Sequence, residues 1–92
     1  MAKATDRVCL RIYTENVNYH QTVNRVTERF PNFTIYKGEG WFGGQSERAL
    51  VIEIICDFGQ QDDVLDLAWD IKKQNKQEQV LVTCRGVACM EV

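Results

Sequence analysis

The chain has 92 residues, 45% of them hydrophobic, with a formal net charge of -2. That length supports one domain around one small core. The acidic balance disfavours a nucleic-acid backbone as partner, and no apolar run approaches the roughly 18 residues that cross a membrane as a helix.

Residues 1–6 are polar and read as a frayed start, without the apolar segment of a signal peptide. This points to the cytoplasm, where Cys9, Cys56, Cys84 and Cys89 are expected as thiols. From Arg7 to Tyr13 the pattern has period two, with Val8, Leu10 and Ile12 facing one way and Cys9, Arg11 and Tyr13 the other, which predicts a first strand. Asn16 or Asn18 is placed to cap a helix whose apolar face is Tyr19, Val23, Val26 and Phe30, and Pro31 ends it. A second strand is predicted over 33–37. The third and strongest covers 49–57, with Leu50, Ile52, Ile54 and Cys56 on one face and Val51, Glu53 and Ile55 on the other.

Between these strands lies a segment with four of the six glycines, interrupted by Trp41 and Phe42. Two large apolar rings in a glycine-rich loop call for a neighbouring subunit or a ligand to cover them. Residues 59–63 read as a turn and helix start, with Asp62 and Asp63 complementing the helix dipole. Val64, Leu67, Ala68 and Ile71 form the buried stripe, and Lys72, Lys73 and Lys76 lie near the C-terminal end. A fourth strand is expected over 79–85. Gly86 is expected to break it, leaving 86–92 as a short extra strand or arm.

The order is βαββαβ, which predicts a single α+β ferredoxin-like domain over residues 1–92, with an antiparallel sheet, two helices on one face and a long β2–β3 hairpin. The uncovered face is then too apolar for solvent. Tyr13, Val51, Ile55 and Leu81 are the expected interface of a homo-oligomer, and Arg11 and Glu53 are placed to pair within that face.

Chemical motifs are sparse. Gly38-Glu39-Gly40-Trp41-Phe42-Gly43 matches G-x-G-x-x-G, but a β-branched strand follows it where a dinucleotide site needs a helix, and no phosphate-loop Lys-Ser/Thr is present. The cysteines lack zinc spacing, so no metal or cofactor is expected. His20, the only histidine, has no nucleophile beside it in any recognised motif, and the chain is expected not to be an enzyme, with His20 plus an acid as the remaining catalytic possibility. The third strand lacks the aromatics that RNA-recognition domains of this strand order use for stacking. The expected binding surface is the hairpin, through Tyr36, Lys37, Glu39, Trp41, Phe42, Gln45, Glu47 and Arg48. Successive glycine amides can form an anion-binding concavity, Trp41 or Phe42 could stack a base, and Lys37 or Arg48 could meet a phosphate.

At Tyr36-x-Gly38-x-Gly40-Trp41-x-Gly43 through Glu47-x-x-Leu50-Val51-Ile52-Glu53-Ile54-Ile55, and again at Gln77-x-Gln79-Val80-Leu81-Val82-Thr83, the chain resembles small uncharacterised proteins of tailed bacteriophages. Its topology and long hairpin are also similar to the nitrogen-regulatory PII and divalent-cation-tolerance families. Those are trimers that pack their sheets together, and the PII proteins bind nucleotides between subunits. Their nucleotide-binding motifs are absent from this chain. The phage resemblance implies an accessory protein that acts by binding, and the PII likeness carries over architecture alone, with its trimer as one expected form of the homo-oligomer. The hairpin's glycine amides, rings and cations make a small anionic, nucleotide-like molecule the expected ligand. The alternative is an inhibitor that docks on a host protein through the aromatic hairpin.

Overall fold

A computed structural model describes residues 3–92. Its elements run β1 (Lys3–Glu15), α1 (Tyr19–Arg29), β2 (Thr34–Phe42), β3 (Gln45–Cys56), a single 3₁₀ turn (Phe58–Gln60), α2 (Gln61–Gln74) and β4 (Leu81–Glu91). The strands form one antiparallel sheet in the order β2-β3-β1-β4. Both helices lie on one face. This is the ferredoxin-like arrangement that the sequence pattern predicts.

The core lies between sheet and helices, where Leu10, Ile12, Leu50, Ile52 and Ile54 meet Val26, Phe30, Val64, Leu67 and Ile71, all buried. On α2 the buried stripe is the expected one, whereas α1 buries Thr22 and Val26 and leaves Tyr19 and Val23 half-exposed. Thr22 tolerates burial because its hydroxyl accepts a hydrogen bond from Gln74 Nε2 at 3.0 Å.

Three boundaries differ from expectation by more than two residues. β1 begins at Lys3, so residues 3–6 are paired with β4 up to Lys3↔Glu91, while the first two residues lie outside the described ones. Gly86 does not break β4, because it sits opposite Val8 in a ladder held on both sides of it, and the strand runs on to Glu91 with no separate fifth element. The glycine-rich segment is not a loop. β2 and β3 continue as a two-stranded ribbon to Phe42↔Gln45, past the end of β1, whose last partner in β3 is Ala49. Gly43 (φ 57°) and Gly44 (φ 79°) make the two-residue reversal, where both positions need the left-handed region.

Cys56 is buried, and burial followed by the nearby Asp57 charge pushes its thiol up from the ordinary value. The folded protein therefore holds this proton more tightly than the unfolded chain. That contribution to stability is fully present below the unfolded value of 9.0 and is lost as pH rises through the folded one. The same burial suppresses the reactive thiolate and screens the sulfur from reagents. At pH 8, iodoacetamide should alkylate the exposed Cys84 at least about tenfold faster than Cys56, as peptide mass mapping would show.

Candidate functional site

At the end of the sheet where β1 stops, the uncovered face opens into a cleft of about 470 Å³ lined by Tyr13, Thr14, Glu15, Phe42, Glu47, Leu81 and residues 76–79. Three structural causes build it. The first is strand alternation. Tyr13, Glu15, Glu47 and Phe42 all fall on the uncovered face, and Leu81 pairs directly with Tyr13. The second is Gly40. A Cβ at this position would stand 2.9 Å from Phe42 Cε2, so glycine leaves the space into which the Phe42 ring folds back.

The third is the end of α2. The Lys76 amide donates to the Lys73 carbonyl at 3.2 Å and the Gln77 amide to the Lys72 carbonyl at 3.1 Å, the paired bonds of a Schellman cap. Lys76 occupies the left-handed position at φ 53°, where glycine is usual. A polar network then fixes the turn against β1. Asn75 Nδ2 donates to Thr14 Oγ1 at 3.3 Å and to Gln77 Oε1 at 3.2 Å, and the Thr14 hydroxyl donates to Gln77 Oε1. Asn18 donates to Asn75 Oδ1 at 2.9 Å, so its side chain ties α1 to α2 and does not cap its own helix. Replacing Lys76 with glycine removes the left-handed penalty but loosens the unfolded chain, for a net gain of about 0.5–1 kcal/mol. Urea denaturation should show that gain as a higher midpoint with an unchanged slope.

The expected hairpin residues divide between two faces. Tyr36, Phe42, Gln45 and Glu47 lie on the uncovered face, and Phe42 and Glu47 line the cleft. Lys37, Glu39, Trp41 and Arg48 alternate onto the helix side. The Lys37 ammonium sits 4.2 Å above the centre of the Tyr19 ring in α1, away from the cleft. Neither Lys37 nor Arg48 lines the cleft, where Lys76 stands among Glu15, Glu47 and Glu78. Trp41 is 65% and Phe42 59% exposed. Sequence reasoning missed Glu15 and residues 76–79. Glu15 could have been found by carrying the Tyr13 alternation one step further.

Tyr36, Val51, Tyr13 and Leu81 form one continuous row across all four strands of the uncovered face, through the pairs Tyr36↔Val51, Tyr13↔Val51 and Tyr13↔Leu81. Leu81 is 51% exposed, and Ile55 lies exposed farther along the same face. Beside the row, Arg11 Nε donates to Glu53 Oε2 at 2.8 Å as expected. That hydrogen bond, followed by one to Tyr13, holds the Arg11 guanidinium above its ordinary value. His20 is exposed, edge-on to Tyr19 at 5.5 Å, and does not line the cleft. Among the described residues no group of three or more His, Cys, Asp or Glu is placed to hold a metal ion, and no helix is long and apolar enough to cross a membrane.

No protein-family model matches the sequence, and no curated protein does. Solved structures match over nearly the whole chain. A nitrogen regulatory PII-like protein, CPII from Thiomonas intermedia K12, bound to ADP, AMP and bicarbonate, superposes with a TM-score of 0.73 at 11% identity, covering 95% of this chain and 96% of that one. A phage SAM lyase in complex with S-methyl-5'-thioadenosine gives 0.69 at 17% identity, with 92% and 90% covered. A DUF3240 family protein from Shewanella baltica OS155 gives 0.66 at 18% identity, with 94% and 89% covered. At these identities the shared property is the fold, so the chain has a PII-like form of the ferredoxin-like fold.

Proposed function

We propose that this protein is a homo-oligomeric, phage-type accessory protein that binds a small nucleotide-like molecule in the cleft beside Phe42 without transforming it. The observation that carries this reading is the cleft itself. An exposed aromatic ring, a tyrosine and a leucine offer an apolar stacking surface for a base, and Gln77, Gln79, Glu47 and Thr14 surround it with hydrogen-bonding groups. Clefts of this volume hold drug-sized ligands. Two of the structurally similar proteins carry adenosine-containing ligands, ADP and AMP in one and S-methyl-5'-thioadenosine in the other. This supports an adenosine-type ligand within the nucleotide-like class. The cleft's polar groups then fix its orientation.

One observation favours a second reading. Within a single copy, three carboxylates and one lysine line the cleft, a balance that suits a cationic ligand better than a phosphate. A sulfonium nucleoside fits that balance, and the phage lyase of the same fold acts on one. On this reading the protein is an enzyme that cleaves a sulfonium, with the carboxylates holding the positive centre.

Isothermal titration with ADP and, separately, with S-adenosylmethionine, followed by chromatography of each mixture, tests both. The first reading expects ADP to bind and be recovered intact. Binding of S-adenosylmethionine with appearance of S-methyl-5'-thioadenosine replaces it with the second. If neither compound binds, the ligand reading fails and the exposed Trp41–Phe42 ribbon is left as the docking surface of a host-protein inhibitor.

A further inference from the structure

One wall of the cleft ends a chain of side-chain amides whose polarity is set from its far end. Arg25 on α1 can only donate, and its Nε gives a hydrogen bond to Gln74 Oε1 at 2.6 Å. The Gln74 amide is thereby turned so that Nε2 donates, to Thr22 Oγ1 at 3.0 Å and to Asn75 Oδ1 at 3.1 Å. Asn18 Nδ2 donates to the same Oδ1. Asn75 then donates through its own Nδ2, and one acceptor is Gln77 Oε1 at 3.2 Å. Two further donors converge on that oxygen, the Thr14 hydroxyl and the Glu15 backbone amide at 3.4 Å. A backbone N–H cannot accept, so the Gln77 side chain has one orientation only. Its oxygen is occupied by β1 and by the end of α2. Among the described residues its Nε2 makes no hydrogen bond, and Gln77 is a half-buried residue of the cleft lining.

From this network we infer that Gln77 Nε2 is the base-reading group of the cleft, donating to an unprotonated ring nitrogen of an adenine stacked on Phe42. The inference rests on the nucleotide-like ligand proposed above and adds which protein group reads it and what that group reads. A phosphate oxygen is the competing acceptor. Its charge is disfavoured here, because Glu15, whose amide bonds Gln77, and Glu78, the next residue, both line the cleft. The part of the ligand that meets Gln77 is therefore neutral, and adenine offers acceptors only at its ring nitrogens. A donor held in place before the ligand arrives discriminates well, since a ligand without the matching acceptor leaves it unpaired. The amide chain supplies that fixed orientation.

Isothermal titration with ADP and with its 1-deaza, 3-deaza and 7-deaza analogues tests this, since each analogue replaces one ring nitrogen by C–H. Wild type should bind one analogue at least about tenfold more weakly than ADP. Gln77→Glu keeps an oxygen for Thr14, Asn75 and the Glu15 amide but exchanges the donor for a second acceptor. Its added charge acts on ADP and the analogues alike, so the gap between them should close. Gln77→Ala removes the amide without adding charge and should close the same gap, with circular dichroism verifying the fold of each variant. Wild type that binds ADP and all three analogues equally, or a gap that survives in either variant, overturns the assignment while leaving the ligand reading standing. Wild type that binds neither ADP nor any analogue removes both.

Discussion

Replacing Leu81 with aspartate is expected to convert the proposed oligomer to folded monomers. In an isolated copy the Leu81 side chain is half-exposed at one end of the apolar row, so a carboxylate there meets water and leaves the core untouched. In the proposed assembly the same carboxylate is taken from water into the apolar row beside Tyr13 and Val51. An unpaired charge in such a place costs several kcal/mol. A loss of about 3–4 kcal/mol at the interface corresponds to a dissociation constant raised more than about 100-fold. Size-exclusion chromatography with light scattering reads this as a fall to the mass of one chain, with the far-ultraviolet spectrum unchanged. An unchanged mass would show that Leu81 lies outside any interface.

The second large effect is on stability. Ile52 is fully buried in β3, between β2 and β1 and facing the helices. Ile52→Ala deletes most of a side chain and leaves a cavity, at a cost of about 3–4 kcal/mol. For a domain of this size that lowers Tm by roughly 15 °C or more. Ile55 lies on the same strand but on the uncovered face and is 45% exposed, so Ile55→Ala should cost an isolated copy about 1 kcal/mol or less. Measuring both in the Leu81→Asp background separates folding from assembly. Equal losses would mean that the two faces of β3 are buried alike, contrary to the one-sided layering of the fold.

The core was legible because its signal is periodic. Alternation in β1 and β3 and the Val64–Leu67–Ile71 stripe in α2 each repeat at the spacing of the element that carries them, and long-range packing does not alter that spacing. The length of the hairpin was less legible. Gly38, Gly40, Gly43 and Gly44 carry no strand signal of their own, and only the last two make the turn. That misjudgement spread to the site. Residues on a loop can converge, whereas residues on a strand alternate, so Lys37 and Arg48 were separated from Phe42 and Glu47 as soon as the segment became a strand. The wall formed by residues 76–79 depends on a helix cap and on Asn75 and Gln77 reaching Thr14 from more than sixty residues away, and no local pattern announces such contacts.

On the proposed function, copies of this chain assemble over the uncovered face and hold a small nucleotide-like ligand where they meet. Native mass spectrometry of the protein purified from cells and then incubated with ADP tests both halves together. The expected spectrum shows an oligomer that carries one nucleotide mass per chain with ADP present, and loss of both the added mass and the assembly in Leu81→Asp. A monomer without added mass at every protein concentration would contradict it.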